Sequence, residues 1–150
     1  MNNLTKLLST FFYIGYSPLA PGSAASLAGV IICYILQNHP ALYIVVWAIV
    51  TIAGFVFTGQ MEKMAEKKDP SCVVIDEVSG MMIALFMLPF QWPVVISAFF
   101  LFRAFDMFKI YPSNKLEYLP GAAGIMLDDI VAGIYTNVVM QIAIRSAGIS

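Results

Sequence analysis

The stretch "ALYIVVWAIVTIAGFVFT", residues 41–58, contains no Asp, Glu, Lys or Arg, and its length approaches the about 20 apolar residues that a helix needs to cross a bilayer. It belongs to a longer charge-free run from Leu7 to Met61, and a second such run extends from Val78 to Phe102. Both are long enough to span. Hydrophobic residues make up 60% of the 150-residue chain and the mean hydropathy is +0.83, whereas soluble domains are roughly 45–50% apolar. The pattern predicts an all-α, multi-spanning helical membrane protein in one domain, residues 1–150, with about four to five membrane-associated helices and a short N-terminal interfacial helix.

Working back from residue 41, "QNHP" reads as a turn, and "SAASLAG" opens a preceding helix that runs to about Leu36, capped by Ser23 or Ser26. Residues 4–16 read as the interfacial helix and "YSPLAPGS" as a Pro- and Gly-rich loop. A signal peptide is disfavoured because Tyr16, Pro18 and Pro21 interrupt the apolar region. Working forward, "QMEKMAEKKDP" is a charged helical extension broken by Pro70. "SCVVIDEVSGMMIALFMLPF" begins a third membrane helix, with Asp76 and Glu77 one to two turns inside it. "PFQWP" is an interfacial turn, "VVISAFFLFRAFDMFKIYP" returns, "SNKLEYLPGAAG" is a loop, and "IMLDDIVAGIYTNVVMQIAI" is the last spanning helix.

Charge then fixes the sides. If residues 24–58 form one hairpin and 73–108 another, Lys6, Lys63, Lys67, Lys68, Arg103, Lys109 and Lys115 fall on one membrane face, as cytoplasmic loops favour. The same arrangement gathers Asp76, Glu77, Arg103, Asp106, Lys109, Asp128 and Asp129 there. An ionised carboxylate near hydrocarbon is costly unless it is paired, hydrated or bound to a cation.

Carboxylates with few His or Cys nearby suit a hard cation with oxygen ligands, chiefly magnesium, so Asp76–Glu77 and Asp128–Asp129 are candidate catalytic and metal-ligating pairs. Arg103 and Lys109 supply the positive charge a phosphate group requires. The Pro21–Gly22–Ser23 loop offers backbone N–H groups and a hydroxyl at a helix N-terminus. The constellation points to phosphate-ester chemistry at a lipid surface. A phosphocysteine mechanism is excluded because Val78 stands where Cys-x5-Arg would place the arginine after Cys72. The single histidine, His39, falls in the turn expected on the far side. Metal-assisted attack by water, or by an aspartate, remains. A net charge of −1 without a basic stripe argues against nucleic acid.

Four blocks, "SPLAPGSAASLA", "DPSCVVIDEVSGMM", "FRAFDMFKIYP" and "PGAAGIMLDDIVAG", occur in the order in which they mark the phosphatidylglycerophosphatase A family, and the chain resembles that family from about Gly15 to Gly133. The resemblance implies a magnesium-dependent phosphatase of the bacterial inner membrane that removes the terminal phosphate of phosphatidylglycerol phosphate, with its site on the cytoplasmic side. It carries the family's acidic pair onto Asp76 and Glu77, its Arg, Asp and Lys onto Arg103, Asp106 and Lys109, and its final pair onto Asp128 and Asp129. Departures fall at Ser23, at Ile110 to Ser113 and at Ala122. None removes a charged group, so they bear on substrate fit around residues 110–122 rather than on chemistry.

Each residue also has a plain structural reading. Arg103 and Asp106 form an i,i+3 ion pair, Lys109 snorkels, and Asp128–Asp129 decorates a helix N-terminus. The rival from another class is a small cation transporter or channel subunit with intramembrane carboxylates. That rival requires acidic residues near the midplane, without bases beside them.

Overall fold

The computed structural model describes residues 3–67, 70–116 and 118–148. Among them all regular structure is helical: α1 (Asn3–Ser9), α2 (Pro21–Leu36), α3 (Pro40–Ala65), α4 (Ile75–Leu85), α5 (Trp92–Phe108), the single turn α6 (Ser113–Leu116) and α7 (Ala122–Ala147). Lys68, one of the basic residues used to assign sides, lies outside the described residues, as does Asp69.

Two helices, α3 and α7, are long and apolar enough to cross a membrane, with windows of mean hydropathy 2.3 and 1.3. At 26 residues each is about 39 Å long. The run from Val78 to Phe102 is not a span: α4 stops at Leu85 and α5 starts at Trp92. At 11 residues, α4 is only about 16 Å long. Instead of crossing, it forms the centre of the molecule. Val78, Ser79, Gly80, Met81, Met82 and Ala84 are all fully buried, and α2, α3, α5 and α7 pack around α4.

Glycine permits the tightest of these contacts. A β-carbon on Gly80 would lie 2.7 Å from the Asp129 carbonyl oxygen, and one on Gly133 would lie 2.4 Å from the Gly80 carbonyl oxygen. Asp129, Gly133 and Asn137, spaced by four, lie along one face of α7. That face runs parallel to α4, with Asp129 near its start, Gly133 on Gly80, and Asn137 at its end.

A helix that ends inside the protein must still satisfy its last carbonyls. The Tyr43 hydroxyl donates to the Met82 carbonyl. Asn137 Nδ2 lies 3.1, 3.2 and 2.7 Å from the carbonyl oxygens of Ile83, Ala84 and Phe86. The Leu88 N–H donates to Leu85. Every carbonyl at the end of α4 is thereby paired.

Several local expectations are corrected. The N-terminal helix ends at Ser9, and a 3-10 turn follows at Ile14–Tyr16, because Phe11, Phe12 and Tyr13 all have positive φ. Neither Ser23 nor Ser26 caps α2: its cap is Ala20, and the Ser26 hydroxyl bonds back to the Gly22 carbonyl at 3.0 Å. The charged extension of α3 ends at Ala65, where Glu66 takes a left-handed cap, so Pro70 does not break it. Residues 113–116 form a helical turn within the expected loop.

Candidate active site

The acidic residues enter from three helices. Asp76 and Glu77 lie in the first turn of α4, not one to two turns inside it, because the helix starts only at Ile75. A carboxylate is favoured there by the helix dipole. Asp128 and Asp129 lie about two turns into α7, not at its N-terminus, because α7 begins at Ala122. They are therefore more enclosed than an edge position allows: Asp128 is 7% exposed and Asp129 1%. Asp106 comes from the last turn of α5.

These positions converge. Oxygens of Asp76, Asp128 and Asp129 lie within 4.8 Å of one another, and so do oxygens of Glu77, Asp106 and Asp129. The two bases bind the rim of this cluster. Arg103 Nη1 is 2.7 Å from Asp106 Oδ2 and 3.4 Å from Glu77 Oε1. Lys109 Nζ donates to Asp128 Oδ2 and lies 4.0 Å from Asp106 Oδ1.

Lys109 is not part of the helical face that the spacing predicts. It is the left-handed C-cap of α5, at φ 47°, and that turn carries its ammonium across to α7. Burial pulls the ammonium's pKa down, but the hydrogen bond to Asp128 and the charges of Asp128, Asp106 and Asp129 more than reverse this. The net effect of these partners is to raise the Lys109 pKa above its ordinary value.

A polar cavity of about 320 Å³ opens over the cluster, walled by Asp76, Glu77, Asp106, Lys109, Asp128 and Asp129. Arg103 is not on its wall; it holds Glu77 and Asp106 from one side. Pro21, Gly22 and Ser23 are not on the wall either. Gly22 instead packs on Glu77, where a β-carbon would lie 2.5 Å from Oε1, so the open N-terminus of α2 adjoins the acidic site. Ser71, Val73, Met107 and Ile125 complete the lining. The sequence reading passed over all four, since an apolar or hydroxyl side chain beside a charged motif has no signature of its own.

The donor set fits a hard divalent cation. It is made of carboxylates alone, and two of their oxygens, Glu77 Oε2 and Asp129 Oδ2, are buried with no hydrogen-bond partner among the described residues. Buried oxygens of that kind need a proton or a cation.

Residues 7–144 match the family model of phosphatidylglycerophosphatase A. The chain belongs to that family. An Escherichia coli phosphatidylglycerophosphatase A is 36% identical over 89% of this chain and 80% of its own length. The corresponding Haemophilus influenzae protein is 32% identical over 92% and 87%. A Bacteroides thetaiotaomicron protein, provisionally named a phosphatidylinositol-3-phosphatase, is 37% identical over 93% of both chains. No solved structure matches the chain. Membership makes this protein a phosphatase, and the acidic cavity is lined by residues of three of the four sequence blocks, with the first adjoining it through Gly22.

Proposed function

We propose that the protein is a magnesium-dependent lipid phosphatase that hydrolyses the terminal phosphate monoester of phosphatidylglycerol phosphate, giving phosphatidylglycerol and inorganic phosphate. The observation that carries this reading is the all-carboxylate cluster with Glu77 and Asp129 oxygens that have no hydrogen-bond partner among the described residues, and with Lys109 on its wall. Asp76, Glu77, Asp128 and Asp129 would hold magnesium, which when bound polarises the phosphoryl oxygens and lowers the pKa of water. Lys109 meets the phosphate as a point charge. Arg103 keeps Glu77 and Asp106 turned towards the cavity. Water attacks phosphorus as a cluster carboxylate takes its proton, the bond to the glycerol oxygen breaks, and that proton passes to the departing oxygen to give the free hydroxyl of phosphatidylglycerol.

The surroundings support a bilayer setting. Leu42, Ile44, Val45, Ile49 and Ile52 of α3, Ile96 and Phe100 of α5, and Ile134, Val138 and Ile142 of α7 are all exposed. Such a surface is too extensive for water but suits lipid. Beside the site, Met107, Phe108, Ile110 and Tyr111 are exposed as well, which supports a reading with the cavity at the level of the headgroups. The reading therefore has a multi-pass protein of the bacterial inner membrane, with the acidic face in the cytoplasm, where the basic residues gather.

The rival transporter reading requires acids near the midplane without bases. Here Arg103 and Lys109 neutralise part of the cluster, and α4 closes its distal side.

The test is phosphate release from a panel of lipid phosphates by the purified protein in detergent. Phosphatidylglycerol phosphate should be cleaved with a kcat/KM at least about tenfold above that for phosphatidate or phosphatidylinositol 3-phosphate, a gap of about 1.4 kcal/mol. Preferred cleavage of the inositol lipid would transfer the assignment to the activity that the Bacteroides protein's name carries.

A further inference from the structure

Asp129 belongs to both acidic trios, Asp76–Asp128–Asp129 and Glu77–Asp106–Asp129. We propose that the cluster holds two divalent cations at once, with Asp129 as the shared carboxylate, Asp76 and Asp128 serving one cation and Glu77 and Asp106 the other. The proposal rests on the metal-dependent reading above. It goes further by fixing the number of ions and by making Asp106 a ligand.

Geometry is the first support. Oxygens around one octahedral magnesium, at about 2.1 Å from the ion, lie roughly 3 to 4 Å apart. Each trio, with its oxygens inside 4.8 Å, needs to contract by no more than about 2 Å. Two cations sharing a carboxylate sit about 3.5–4 Å apart in two-metal phosphatases, a spacing that the two oxygens of Asp129 can bridge.

The second support is independent of the clustering. Asp129 is 1% exposed, and its Oδ2 has no hydrogen-bond partner among the described residues. Glu77 shows the same need from the other trio: Arg103 takes Oε1 and leaves Oε2 buried without one.

Charge decides between one ion and two. Five carboxylates against Arg103 and Lys109 leave three negative charges when all are ionised. One divalent cation still leaves the site negative, and a phosphate monoester dianion would then enter against repulsion. Two cations leave it with one positive charge, so the substrate is attracted.

Mn²⁺ titrated into the purified full-length chain tests this without reference to turnover, read by calorimetry and electron paramagnetic resonance. Two Mn²⁺ per chain with an exchange-coupled spectrum are expected, both displaced by excess Mg²⁺. Asp106→Asn should bind one Mn²⁺ with an uncoupled spectrum, and Asp129→Asn should weaken both sites. Circular dichroism shows whether each isosteric variant is folded. Should the wild type saturate at one uncoupled Mn²⁺, two-ion binding is wrong and the lipid phosphatase reading stands. Should it bind none, with the orphaned oxygens satisfied by shared protons, the proposal and the metal dependence of that reading both fall.

Discussion

The two ends of α4 handle buried polarity in opposite ways. At its C-terminus, the Tyr43 hydroxyl, the Phe86 and Leu88 N–H groups and the two hydrogens of Asn137 Nδ2 pair the carbonyls from Met82 to Phe86. At its N-terminus, carboxylates crowd together and two oxygens, on Glu77 and Asp129, have no hydrogen-bond partner among the described residues. One helix and one face of α7 build both ends. At the C-terminal end of α4 the polypeptide pairs its own buried carbonyls. At the N-terminal end the polypeptide does not do so, and the proposed metal would complete the shell there.

Breaking the N-terminal end should have the largest effect. Asp76→Asn and Asp129→Asn each preserve shape but remove an anionic oxygen, so phosphate release should fall at least about 100-fold. Thermal stability should be unchanged or higher, because a crowded charge is removed. If both variants kept full activity in saturating magnesium, the site would lie elsewhere.

The middle of the contact comes next. Gly133→Ala places a methyl group on the Gly80 carbonyl, a backbone atom that cannot swing aside. A loss of about 1–3 kcal/mol is expected, seen as a lower unfolding midpoint in detergent together with reduced activity. Unchanged stability would show that α4 and α7 pack less closely.

The C-terminal end should respond in stability first. Asn137→Ala leaves carbonyls of α4 unpaired, at a cost of about 1–3 kcal/mol. If α4 is positioned from this end, the folded fraction keeps its magnesium dependence and loses only part of its activity. A fall as large as that of Asp129→Asn would erase the contrast between the two ends.

Gly22→Ala should be the mildest. Its methyl group meets the carboxylate of Glu77, the movable end of a side chain, so activity should drop severalfold while the unfolding midpoint stays near wild type. Equal losses in both would mean that the α2 N-terminus is a packing element only.

These contrasts also explain what the sequence made legible. Hydropathy marks α3 because every face of that helix is apolar, and the clustering of charged motifs foretells the acidic face because hydrocarbon tolerates charge only where it is functional or neutralised. The short α4 was hidden by the same rule. A helix buried on all sides within the protein is as apolar as one in lipid, so "VVIDEVSGMMIAL" reads as the start of a span. Its pairing with α7 was visible in retrospect: Asp76 and Gly80 have the same spacing as Asp129 and Gly133, each acid four residues before the glycine on which the helices meet. Lys109 is expected beside the acids, but its left-handed cap is not, because a left-handed lysine is set by tertiary contacts and not by local preference. The same holds for Arg103, whose place beside rather than on the cavity wall depends on how α5 crosses α4.

The central claim is that the orphaned carboxylate oxygens belong to a metal-dependent phosphatase centre. Its most direct test is phosphate release from phosphatidylglycerol phosphate by the purified wild-type protein, after chelation and again after magnesium is restored. Release should stop on chelation and return in full with magnesium, while the fold measured by circular dichroism is retained throughout. Undiminished release in the presence of excess chelator would contradict the account.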